Sequence, residues 1–83
     1  MDTIIVTVTD KKSSFFQDLE VPTDLTVDKL RDDIVQTLNG YRPELYLDSF
    51  STKIFSGRLG RQLADTETLG EVGVWNGDYL MLF

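Results

Sequence analysis

The chain contains no cysteine and no histidine. The first absence removes thiol nucleophiles and disulfides, the second removes the usual imidazole base, and together they exclude every zinc site built on sulfur or imidazole. A chain without thiols also fits a reducing compartment. Nothing approaches the roughly 18 consecutive apolar residues needed to span a bilayer, and Met1-Asp2-Thr3 lacks the basic start and apolar stretch of a signal peptide. The chain reads as cytoplasmic, with no direct membrane insertion. Basic residues are scarce: 8 Lys and Arg face 14 Asp and Glu, for a formal charge of -6. That charge repels nucleic-acid phosphates and anionic lipid headgroups, so protein partners are expected and nucleic acid is not.

The 83 residues amount to one domain, residues 1–83, which can bury only about 60–65% of the unfolded chain's surface in a single small core. Apolar content of 41% with 27% charged residues, spread without a long block, describes a folded module rather than a disordered one.

Residues 3–9, TIIVTVT, alternate, with Ile4, Val6 and Val8 on one face and β-branched residues at nearly every place, which predicts a first strand. The polar DKKSS at 10–14 is a turn, and residues 15–21, FFQDLEV, alternate again with Leu19 and Val21 toward the core. Pro22 cannot donate to a ladder and ends this second strand. The period then changes. Val27, Leu30, Ile34 and Leu38 form the apolar stripe of a helix, with Thr26 as N-cap, Leu25 as a staple, Asp28 on the positive end and Asn39-Gly40 as the stop. Lys29 stands where a full capping box wants Glu or Gln.

Leu45 and Leu47 fall on one parity, Phe50, Thr52 and Ile54 on the other, so a break is expected near Ser49 to Ser51. SGRLGR at 56–61 reads as a turn. Thr68 and Glu71 form a capping box for a short helical turn that Gly73 ends, and Asn76-Gly77-Asp78 is a tight turn leading to a last strand with Leu80 and Leu82 inward. This order predicts an α+β fold: a mixed sheet of four to five strands packed on one main helix plus a short helical turn. The last strand, the most continuously apolar, is expected at the centre beside the first. Val74 and Leu69 complete the core.

The order is that of the β-grasp fold. VPTDLTVDKLRDDI resembles the part of ubiquitin that closes the first hairpin and opens the helix, KIFSG resembles its third strand, and LADTETLGEVGV its later capped turn. The ending TLGEVGVWNGDYLMLF is similar to the small ubiquitin-like proteins of Gram-positive type VII secretion, the YukD/EsaB family, and to the ubiquitin-like N-terminal domain of EccD, their membrane channel component. Val74, Asn76, Gly77, Asp78, Leu80 and Leu82 carry that resemblance.

A conjugated modifier needs a flexible extension of about five or six residues at about 3.3 Å each, ending in Gly-Gly, to reach into an activating enzyme. Phe83 corresponds to a position inside ubiquitin's last strand, so the resemblance implies the non-conjugated branch.

Candidate sites are few. Asp28, Asp32 and Asp33 share a helix surface, but helix spacing does not surround a calcium ion, and they read as a solvated face. Asp65 and Glu67, as an acid–base pair, would need a cleft; they read as structural capping. Trp75 follows the capped turn and reads as core packing over it rather than as a binding anchor. No catalytic residue, metal site or cofactor is expected, and the chain reads as no enzyme. With Leu80 and Leu82 inward, Tyr79, Met81 and Phe83 point outward beside Ile5 and Ile54. Ubiquitin recognises partners through an apolar patch on this face, and Ile54 and Phe83 resemble two of its members. The expected protein-binding residues are therefore Ile5, Ile54, Tyr79, Met81 and Phe83.

The resemblance implies a non-catalytic accessory or adaptor of a type VII secretion system, docking on a membrane-embedded component, with self-association open. Two alternatives stand beside it: a soluble domain cut from a longer EccD-like channel protein, and a modifier or sulfur carrier whose Gly-Gly tail has been removed.

Overall fold

The computed structural model describes residues 2–83. The alternating segments form a hairpin of β1 (Thr3–Asp10) and β2 (Phe16–Pro22), and the 3.6-period stripe forms α1 (Val27–Tyr41). A single 3-10 turn, Pro43–Leu45, leads to β3 (Ile54–Ser56) and the two-residue β4 (Arg61–Gln62). The short helix α2 (Leu69–Val72) precedes β5 (Tyr79–Leu82). In the sheet these strands lie in the order β2-β1-β5-β3-β4. β5 is central, parallel to β1 and antiparallel to β3, so both of its edges are hydrogen-bonded.

Helix α1 crosses the inner face of this sheet and buries Val27, Leu30, Ile34, Val35 and Leu38. Val6, Val8, Leu19, Val21, Leu69, Val74, Leu80 and Leu82 meet it, as the spacing predicts, and Ile4 packs at the margin of the cluster. Phe15, Ile54 and Leu63 join the core from the hairpin turn and the β3–β4 hairpin.

The helix termini differ from the sequence reading. Thr26 occupies the N-cap position, but its hydroxyl donates to the Asp28 carboxylate rather than accepting from the helix backbone. The first amides are satisfied across the fold: Val27 N–H donates to the Glu67 carbonyl (2.7 Å) and Asp28 N–H to the Asp65 carbonyl (3.2 Å). At the other end α1 runs through Asn39-Gly40 to Tyr41. Asn39 does not stop the helix because its amide is committed elsewhere: it donates to the Leu47 carbonyl and accepts from the Leu47 N–H, both at 3.0 Å. That clasp fixes the segment after the helix. The expected break at Ser49–Ser51 is a turn, preceded by Tyr46 in the left-handed region (φ 49), and residues 46–53 form no strand.

Candidate functional site

Alternation along β1 and β5 turns Ile5, Tyr79 and Met81 to the sheet face opposite α1. Ile5 is 50% exposed, Tyr79 52% and Phe83 43%, while Met81 is half-buried. Ile54 is not on this face. It is 1% exposed in the core, because β3 pairs antiparallel to β5 with Ile54 opposite Leu82 and Ser56 opposite Leu80, and directly opposed residues share a face. The outward position of β3 is Phe55, opposite Met81. A register displaced by one residue exchanges the two faces of a strand, which is the error in placing Ile54 by resemblance.

The register also brings Phe16 onto the face. It opposes Thr9 on β1, which in turn opposes Met81 on β5, so Phe16, Thr9, Met81 and Phe55 form one row across four strands. Thr9 is buried in this row, its hydroxyl donating to the Phe15 carbonyl at 2.7 Å. Phe16 stands 62% exposed at one end. At the other, Phe83 meets Phe55 edge to face, ring centroids 6.4 Å apart and planes at 74°. A shallow depression lined by Thr7, Thr9, Phe16, Tyr79 and Met81 lies on the Phe16 side of this face. The Tyr79 ring lies over Gly57: a β-carbon there would come within 2.2 Å of its Cε2 atom. Glycine at that position is what allows the ring to lie down against β3.

The lower margin of the face is held by the turn before β5. Asn76 Oδ1 accepts from the Ile5 N–H and the Gly77 N–H donates to the Ile5 carbonyl, both at 2.7 Å. Gly77 takes φ 90, a conformation other residues adopt only under strain. Arg58 then locks the turn. Its Nε donates to both Asp78 oxygens at 3.0 and 2.9 Å, its NH2 donates to the Gly73 carbonyl, and its guanidinium lies 3.9 Å from the centroid of Trp75. Asp78 also accepts from the Trp75 N–H at 2.8 Å. Trp75 is 64% exposed and packs on Arg58 rather than into the core, contrary to the sequence reading. Arg58 was legible only as a turn residue, since its partners lie fifteen to twenty positions away.

The two acids weighed as a catalytic pair are each held by an arginine: Asp65 by Arg31 at 2.8 Å, Glu67 by Arg61 in a two-pronged contact at 3.0 and 2.8 Å. Glu67 also accepts from the Ala64 N–H, and the Arg61 contact followed by this amide lowers its pKa to about 2. Both therefore shape the loop whose carbonyls cap α1. Asp28 is lowered by the Thr26 hydroxyl, and Asp10 by the Ser14 hydroxyl. Among the described residues no group of three or more histidine, cysteine or acidic side chains is arranged to hold a metal, and no helix is long and apolar enough to cross a membrane.

This sheet, helix and turn arrangement is that of ubiquitin-like proteins. A ubiquitin from Caldiarchaeum subterraneum superposes with a TM-score of 0.75 at 26% identity, covering 98% of this chain and 91% of that one. The ubiquitin-like domain of an Arabidopsis thaliana protein gives 0.76 at 25% identity, covering 100% and 78%. A chain of the MycP5-free ESX-5 inner membrane complex gives 0.79 at 19% identity; it covers all of this chain but only 21% of the larger one, and the likeness is one of fold. No curated protein matches significantly. The chain belongs to the family described as WXG100 protein secretion system (Wss), protein YukD, which matches residues 3–82.

Proposed function

We propose that the chain is a non-catalytic adaptor of a WXG100-type secretion system, acting on the cytoplasmic side by docking its outer sheet face on a membrane-embedded component. The observation that carries this reading is the row Phe16, Met81 and Phe55, extended by Phe83 against Phe55 and flanked by Ile5 and Tyr79, an apolar surface left uncovered by the helices. Large exposed apolar patches on small domains mark protein interfaces. Family membership supplies the secretion setting, and the fold likeness to a segment of an inner membrane complex supports a membrane-embedded partner.

The test is affinity of the purified chain for the detergent-solubilised membrane complex of its own system. Phe55→Ala with Phe83→Ala should weaken binding about tenfold or more with little change in Tm, while the helix-surface pair Asp32→Asn with Asp33→Asn should not. Equal binding by all variants would reject the face as the docking surface.

A second reading, an ubiquitin-like segment of a longer channel protein, rests on the coverage of that inner-membrane chain. An open reading frame continuing into apolar spans would favour it over a free-standing adaptor.

A further inference from the structure

Two strands lie at the edges of the sheet, and they are unlike one another. β4 has two residues, whereas β2 has seven and pairs only with β1. An edge of that length leaves a row of unpaired N–H and C=O groups able to receive another strand. Beside it, between β2 and α1, runs a groove whose floor is formed by Leu19, Val21, Leu30 and Ile34 and whose charged lining residues are Glu20 and Asp33; no lysine or arginine lines it.

The charges decide what can occupy the edge. Asp18 and Glu20 are exposed on the outward side of β2, and their carboxylates accept from the hydroxyls of Thr7 and Thr3 on β1, each at 2.7 Å. These bonds hold both acids over the sheet rather than free in solvent. A second copy pairing antiparallel about the middle of β2 would meet them unfavourably. Centred on Leu19 it sets Asp18 against Glu20; centred on Asp18 or Glu20 it sets that residue against itself. Like charges directly opposed across strands are destabilising, and opposite charges are favourable. A strand from another protein with Lys or Arg at alternate positions would meet both acids, while its intervening aliphatic residues would face the groove between β2 and α1.

We propose that β2 and the adjoining flank of α1 form a strand-addition site for an extended segment of a partner protein in which basic and aliphatic residues alternate. The site adjoins the outer-face docking surface at Phe16 but is built on the open edge of β2 and the groove beside α1, and does not depend on that surface.

The probe is a blocked peptide of alternating valine and lysine, about seven residues long to match β2, titrated into the isotopically labelled chain and followed by amide NMR. Saturable shifts are expected at Phe16–Val21 and Asp33–Thr37, with slowed hydrogen exchange along β2. Replacing lysine by glutamate in the peptide should abolish the effect. Asp18→Asn with Glu20→Gln, at exposed positions that leave the core intact, should weaken binding roughly tenfold. The proposal is overturned if lysine and glutamate peptides behave alike, if no saturable shift occurs at millimolar peptide, or if shifts fall on Tyr79, Met81 and Phe83 instead. It is also overturned if the wild-type chain ignores the peptide while the Asn/Gln variant self-associates, since the acids would then serve only to keep the edge unpaired.

Discussion

Arg58 sits over the Trp75 ring, 3.9 Å from its centroid, while the same guanidinium holds the Asp78 carboxylate. These contacts tie the exposed tryptophan to the turn into β5. Arg58→Ala should lower stability by about 1–2 kcal/mol, from the loss of a cation–π contact and charged hydrogen bonds. Arg58→Lys should recover little, because an ammonium cannot make the planar contacts. Urea unfolding with tryptophan emission reads both effects. Unchanged emission and midpoint in the alanine variant would mean the stack contributes nothing in solution.

Adjacent residues of β3 should respond oppositely. Ile54→Ala removes a fully buried side chain and should cost about 2–5 kcal/mol, whereas Phe55→Ala, on the outer face, should cost under about 1.5 kcal/mol. Denaturant midpoints for the two variants measure the register directly. A reversal would place β3 one residue out of step.

Gly57→Ala should be cheap for stability and costly for surface shape. The β-carbon clashes with the far end of the Tyr79 ring, which can swing outward, so the expected loss is under about 1 kcal/mol. The ring protons of Tyr79 and Phe16 and the methyl protons of Met81 should shift nonetheless. If the spectrum of the outer face is unaltered, the ring does not lie on Gly57.

Acid should loosen the loop that caps α1. The Glu67 pKa is lowered from 4.5 to about 2, so its stabilising contribution is present above 4.5 and is lost as pH falls from there through about 2. Glu67→Gln should flatten stability against pH within that window and leave the neutral-pH slope unaltered. Thermal melts at closely spaced pH values show whether the wild-type decline is carried by this residue.

Much of the fold was legible because it obeys local periods. Alternation in β1 and β2, the stripe from Val27 to Leu38 and the Gly73 cap each depend on residues within a few positions of one another, and the structure keeps them. What escaped depends on distant pairing. β3 is too short for its parity to declare a buried face; the pairing of Ile54 with Leu82 decides it. Asn39 looked like a helix stop until Leu47 supplied both partners for its amide. On the candidate face Ile5, Tyr79, Met81 and Phe83 were readable from β1 and β5, but Phe16 and Phe55 enter through register, and Arg58 through contacts that no spacing rule announces.

The bonds from Val27 and Asp28 to the carbonyls of Glu67 and Asp65 bear on how the chain acquires its shape during synthesis. A 15-residue helix is marginal in isolation, and the groups that complete its first turn are translated long after it. While a ribosome has released only the hairpin and helix, α1 must fray at its start, and the hairpin lacks β5, its central neighbour. Neither half is a foldable piece. The domain should therefore form in one late step once its C-terminal third is free, and a nascent chain arrested before residue 65 should stay fully sensitive to protease.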